Sequence, residues 1–141
     1  MITVRIADFE SENAALRAVR FTVFVDEQQV PEEIEIDEDD RTCVHVLAAA
    51  DGLPVGTGRV DIQKNGKIGR VAVLASYRRT GVGAAIVRLL HAIAADHGLE
   101  SCWCHAQTAA EPFYTQLGYR ATSEEPFDEA GIPHVRMERT L

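Results

Sequence analysis

Apolar residues recur along this chain with two different periods, and the change from one to the other outlines a mixed domain. Val82, Ile86, Leu89, Leu90 and Ile93 stand at i, i+4, i+7, i+8 and i+11, the stripe of an amphipathic helix. The spacing predicts a helix over 80–97, with His97 in its last turn and Gly98 as its stop. Leu16, Val19 and Val23 give a second stripe, running from an expected N-cap at Ser11 to about Phe24. A short helix is expected over 109–117, with Pro112 in its first turn or kinking it, and Gly118 ending it.

Strand-like runs fill the spaces between these stripes. The first covers 2–7. The run 43–50 is turned by Asp51-Gly52 into a strand around 55–63, and Asn65-Gly66 turns that into a third over 67–74. A further strand is expected at 101–106. A final pair at 119–122 and 134–139 is joined by a loop over 123–133. The sum is a mixed α/β domain whose early hairpins precede one strand–helix–strand crossover. The strands flanking helix 80–97 should be parallel and connected right-handedly. At 141 residues the chain reads as one domain over 1–141.

Charge changes this picture in one place. The net charge is −8, yet residues 26–40 alone hold nine acids and no Lys or Arg. Outside that segment, 22 − 9 = 13 acids face 14 bases. Such a balance disfavours nucleic acid, whose affinity rests on neutralised phosphates. The acidic segment is either a solvated loop or a surface for a cationic partner. Val30, Ile34 and Ile36 within it favour a loop or short helix that partly packs. No apolar run is long enough to span a bilayer, and 1–5 does not open a signal peptide, so the cytoplasm is the expected location.

Three cysteines, an odd number, do not form a disulfide framework. Cys102 and Cys104 share one strand face, and His105 points to the other. Their spacing suits neither a zinc knuckle nor haem attachment, so no metal is expected.

The chemistry-bearing stretch is Arg78-Arg79-Thr80-Gly81-Val82-Gly83, between an apolar strand and a helix. Free N–H groups at a helix start, unencumbered beside glycine, cradle phosphate. A mononucleotide P-loop is excluded because no Lys-Ser or Lys-Thr follows the glycines. A dinucleotide fingerprint fails because Ile86 occupies the third glycine position and Glu100 opens the next strand instead of closing it.

The same stretch matches the [QR]-x-x-G-x-[GA] signature of the GNAT N-acetyltransferase superfamily, and Val71-Ala72-Val73-Leu74 before it resembles that family's acetyl-CoA strand. The segment from Gln107 to Tyr119 resembles N-x-x-A-x-x-F-Y-x-x-x-G-[FY], with Gln107 where Asn is usual. Arg20 to Gln28 with the acidic run and His45, and Glu129 to Met137, are similar to the ElaA/YjcF-like branch. The resemblance spans nearly the whole chain. It implies a mostly antiparallel sheet with one parallel crossover, flanked by helices.

It also implies direct transfer of acetyl from acetyl-CoA to a primary amine within a ternary complex. The N–H groups of Arg79, Thr80, Gly81, Val82, Gly83 and Ala84 would hold the pyrophosphate, and Gln107 lies in the coenzyme-binding set. One of Arg78 and Arg79 would bond phosphate, the other staying a surface charge. The backbone of Val71, Ala72 and Val73 would pair with the pantetheine arm, with an N–H near Val73 polarising the thioester. Tyr114 matches the family's general-acid position, from which a phenol O–H, protonated at neutral pH with a pKa of about 10, can donate to the departing thiolate. The amine, near 10.4, needs a base. Glu27, His45 and His134 are the candidates, with a weaker claim for His105. His91 and His97 are expected on the helix surface. No activating pattern surrounds the cysteines, which disfavours them as acetyl carriers. The resemblance leaves room for a homodimer and for a cationic acceptor. A non-catalytic acetyl-CoA sensor or interaction module is the alternative.

Overall fold

The computed structural model describes residues 1–122 and 125–141. The described strands are β1 (Ile2–Ala7), β2 (Cys43–Ala50), β3 (Leu53–Asp61), β4 (Lys67–Val73), β5 (Ser101–Gln107), β6 (Arg120–Ala121), β7 (Phe127–Glu129) and β8 (Ile132–Thr140). They form one sheet in the order β1-β2-β3-β4-β5-β8-β6, with β7 also on β8. Only β4 and β5 are parallel; the other described pairs are antiparallel. The helices are α1 (Asn13–Arg20), α2 (Glu32–Glu35), α3 (Val82–Asp96) and α4 (Glu111–Gln116). A π-helical stretch, Phe21–Glu27, continues α1. Among the described residues no helix is long and apolar enough to cross a membrane.

The Asp51-Gly52 turn forms as a two-residue hairpin because both residues take left-handed backbone, at φ 49° and 86°, whereas Asn65 and Gly66, left-handed at φ 59° and 85°, close a longer connection over 62–66. The strand expected over 55–63 ends earlier, at Asp61. Its carboxylate accepts the Gln63 N–H at 3.1 Å and winds Ile62–Lys64 into a 3₁₀ turn. A third hairpin joins β7 to β8 through Ala130-Gly131, both left-handed, where the sequence reading has only a loop. Part of that loop, Ser123 and Glu124, lies outside the described residues.

The start of α1 corrects a second expectation. Ser11 is not the N-cap: its N–H and Oγ both bond the Asp8 carboxylate, closing the turn before the helix, and α1 begins at Asn13 without a side-chain cap. Leu16, Val19 and Val23 are buried as their spacing requires.

Helix α3 lays Val82, Ile86, Val87, Leu90, Ile93 and Ala94 against the sheet. Two glycines of β3 allow the close approach. A Cβ on Gly56 or Gly58 would meet Ile86 at 2.8 Å. On the far side of β3 sits the feature that opens the fold. Thr57 pairs with Ala72 and Arg59 with Gly69, so β4 spends three steps where β3 spends two. The extra residue falls at Arg70, which takes a left-handed φ of 49°. Such a bulge bends and twists its strand. β4 then pairs with β5 only at Lys67–Trp103 and Ile68–Cys104. Beyond that point the two strands part, and the N-terminus of α3 stands at the carboxyl end of β4.

Candidate active site

The parting of β4 and β5 leaves a cavity of about 930 Å³. One end reaches the start of α3. Gly81 takes φ 90° there, a left-handed turn that a side chain would strain. The first intrahelical bond is Ala85 N–H to Gly81 O at 3.0 Å, so the N–H groups of Val82, Gly83 and Ala84 precede the ladder. Arg79, Gly81, Gly83 and Ala84 line this end. Val82 and Thr80, also expected here, do not line the cavity. The Val82 side chain is in the core, and the Thr80 hydroxyl donates to the Tyr77 carbonyl. Gly83 has a packing role: an added Cβ would come within 3.2 Å of the Phe113 ring.

The two arginines divide their tasks. Arg78 donates from Nε to Val73 O at 2.8 Å and grips the Glu27 carboxylate at 2.8 and 2.9 Å. It straps the π-helical stretch to the end of β4. Arg79 is exposed, lines the cavity and has no ion-pair partner among the described residues. Glu27 is committed to Arg78 and does not line the cavity, so it is removed from the candidate bases.

The middle of the cavity is the splayed edge of β4, with Val71, Ala72 and Val73, facing the end of β5. Gln107 donates to Gln28 Oε1 at 2.7 Å, joining β5 to the residue that ends the π-helical stretch. Tyr114, on α4, also lines the cavity at 7% exposure, edge-on to Phe113 and Tyr119. Burial pushes its phenol well above the ordinary value.

The other end is charged. Arg20, 1% exposed, bonds Glu35 and Asp40. Arg59 takes both oxygens of Asp37 at 2.7 and 2.9 Å and reaches Asp40 at 2.6 Å. Arg70 bonds Asp37 at 2.9 Å and the carbonyls of Ile34 and Glu35. Three guanidinium groups thus meet three carboxylates. Burial alone would raise Asp37, but Arg59, then Arg70 and Arg20, outweigh it and bring it to about 2. Lys64 holds Asp39 at 2.6 Å. Of the nine acids in 26–40, Asp26, Glu32, Glu33 and Glu38 are left exposed with no ion-pair partner among the described residues. The acidic segment is therefore neither a solvated loop nor a bare acidic surface. It is stitched onto α1 by Arg20 and onto the sheet by Arg59 and Arg70, distant residues that a local charge count does not associate with it. Glu35, Asp37 and Asp39 line the cavity.

His45 is part of that support, not of the cavity wall. At 2% exposure it bonds Asp40 O through Nε2 at 2.8 Å and stacks on Phe9. Burial holds its pKa below the ordinary value, against the pull of Asp40. The expectation of His45 as a base is corrected accordingly.

His134 does line the cavity. Its Nδ1–H donates to Ile132 O at 2.7 Å, which leaves Nε2 as the lone-pair nitrogen of the neutral ring. Glu129 Oε2 lies 3.7 Å from that nitrogen, and Glu129 Oε1 lies 3.0 Å from His105 Nδ1. Burial works to raise Glu129, but His105, then His134 and Lys67, hold its carboxyl below the usual range. The third hairpin brings Glu129 here. His91, expected on the surface, is 8% exposed, because Tyr119 and Arg139 cover it.

Comparison with known proteins gives a concordant answer. Residues 6–141 match the model of the acetyltransferase (GNAT) domain. The chain is 46% identical over 120 residues to the uncharacterized N-acetyltransferase YjcF of Bacillus subtilis, covering 84% of this chain and 86% of that protein. The crystal structure of Escherichia coli ElaA superposes with a TM-score of 0.87 at 28% identity, over 99% of each chain. The PaiA N-acetyltransferase of Thermoplasma acidophilum, solved in complex with coenzyme A, shares the fold at a TM-score of 0.76 and 15% identity, over 100% of this chain and 99% of that one.

Proposed function

The chain belongs to the GNAT acetyltransferase family, in its ElaA/YjcF-like branch, and from that premise we propose that this acyltransferase moves acetyl from acetyl-CoA to a primary amine by direct transfer. The observation carrying the reading is that one cavity is lined at once by the first turn of α3, the free edge of β4, Tyr114 and His134.

The residues fit the coenzyme. N–H groups at the start of α3, with Arg79, suit a pyrophosphate, and the unpaired edge of β4 at Val71, Ala72 and Val73 offers an extended arm backbone partners. Gln107, tied to Gln28, frames the passage between the coenzyme end and the acceptor end. His134 Nε2 takes the amine proton, and Glu129 stabilises the resulting imidazolium. The amine nitrogen attacks the thioester carbonyl, the new C–N bond forms, and the C–S bond breaks. Tyr114 donates a hydrogen bond to the departing sulfur, which leaves as the thiolate and takes its proton from solvent. Its buried phenol stays protonated across the working range. An ionised Glu129 at the acceptor end favours a cationic amine. The cytoplasm, where acetyl-CoA is available, is the proposed site of action.

The test is thiol release from acetyl-CoA across simple amines, polyamines, aminoglycosides and peptides. The reading predicts amine-dependent release that Tyr114→Phe lowers roughly 10²- to 10⁴-fold. Tight binding of acetyl-CoA without turnover on any amine supports the sensor alternative instead.

A further inference from the structure

A second, smaller cavity of about 290 Å³ lies beside the first and shares one wall residue with it, Gln116 at the end of α4. Its other lining includes Arg88, His91 and Arg139, and no carboxylate among the described residues. In a protein of net charge −8 this is a local reversal of sign. Neither Arg88 nor Arg139 has an ion-pair partner among the described residues, whereas Arg20, Arg59, Arg70 and Arg78 all have one.

The Arg139 guanidinium is held in place. It donates from NH1 to His91 Nδ1 at 3.1 Å, so the other ring nitrogen of His91 carries the proton and donates to the Tyr119 oxygen at 2.6 Å. Burial first, then Arg139 and Arg88, hold His91 down at about 4, so the ring is neutral and adds no charge of its own. The Arg139 stem runs against the bare Cα of Gly118, where a Cβ would approach Nε to 2.9 Å. A chain of Tyr119, His91 and Arg139 thus presents one fixed cation, and Arg88 stands beside it as a second, exposed one.

Position relative to the coenzyme end is informative. Ala84 lines the first cavity and Arg88 the second, and residues four apart share a helix face about 6 Å along the axis. That is about the distance a ribose sets between the pyrophosphate of a coenzyme and a phosphate on the same sugar.

We propose that Arg88 and Arg139, the latter positioned by His91, form a phosphate-monoester site that takes the ribose 3′-phosphate of the coenzyme. Two guanidinium groups converging in a small cavity are suited to a tetrahedral dianion, through paired charge-assisted hydrogen bonds. The site rests on the acetyl-CoA reading above and gives it a specificity: the protein distinguishes coenzyme A from its 3′-dephospho form.

Calorimetric titration of CoA and of 3′-dephospho-CoA into wild type, Arg88→Gln and Arg139→Gln tests this. Wild type is expected to bind CoA about tenfold or more tightly than the dephospho form, the effect of losing charge-assisted bonds. Each variant should weaken CoA binding and leave dephospho-CoA binding unchanged, narrowing the preference. Equal wild-type affinities, or variants that weaken both ligands alike, overturn the site while leaving the coenzyme reading intact. If wild type binds neither ligand, the coenzyme reading itself has failed. Arg88 is exposed, so Arg88→Gln preserves the test if Arg139→Gln does not fold.

Discussion

One sheet carries two opposite interiors. On the face under α3, Val46, Val60, Ile68, Cys102, Cys104 and Met137 are all exposed by 2% or less, in a continuous apolar core. On the other face, one residue along the same strands, stand His45, Arg59, Asp61, Lys67, His105 and His134. Cross-strand pairing confirms the shared face: His45 opposes Arg59, Asp61 opposes Lys67, and Gln107 opposes His134. Alternation of side chains across a strand makes this possible without any change of backbone. The apolar face is held by area and fit. The polar face is held by pairing, and it is the face on which the charged end of the cavity is built.

The largest effect should come from breaking a pair on the polar face. Arg20→Ala leaves Glu35 and Asp40 buried with one cation fewer, and a stability loss of about 3–5 kcal/mol is expected by urea denaturation. A loss under about 1 kcal/mol would mean that the pairing does not hold this face. On the apolar face Gly58→Ala drives a Cβ to 2.8 Å from Ile86, and overpacking of this kind costs about 1–3 kcal/mol. An unchanged denaturation midpoint would show that α3 is not seated closely on β3.

The mildest way to separate the regions is by acid. Asp37 titrates at about 2 in the fold against 3.8 when free, so its contribution is complete above 3.8 and is lost as pH falls toward 2. His91 is held at about 4 against 6.5, so the unfolded chain takes up a proton that the fold refuses, and stability is lost as pH falls from 6.5 toward 4. His45, also lowered, acts in the same sense. Denaturation midpoints should therefore fall in two stages, and His91→Gln should shrink the upper one. A flat midpoint between pH 6.5 and 4 would contradict the burial of these rings.

The two faces also differ in how far the sequence disclosed them. The α3 stripe, the Asp51-Gly52 turn and the shared face of Cys102 and Cys104 are local patterns, and each forms as its spacing predicts. The strand–helix–strand crossover follows from them, and with it the position of the α3 N-terminus. The polar face depends on partners far apart in the chain. Arg20, Arg59 and Arg70 reach the acidic segment only through the fold, so the sequence alone offers a solvated loop or a surface for a cationic partner there. The bulge at Arg70 follows Gly69, an isolated strand glycine that does not by itself fix where the extra residue falls, and Ala130 is an unusual residue for a tight turn. For the same reason Glu129 and His105 were not foreseen as neighbours of His134. Among the named candidates, geometry separates Arg79 from Arg78, and His134 from Glu27 and His45. The glycine loop, the Phe-Tyr helix and the two branch segments, Arg20 to Gln28 and Glu129 to Met137, are readable from motifs.

The central claim is that the parted strands and the start of α3 form one coenzyme site. Amide chemical shifts during acetyl-CoA titration test it most directly. The account predicts saturable shifts at Gly81, Gly83 and Ala84 together with Val71 and Val73, and their loss in Gly81→Val, where a left-handed φ of 90° forbids the new side chain. Saturable binding that leaves those amides unmoved would contradict it.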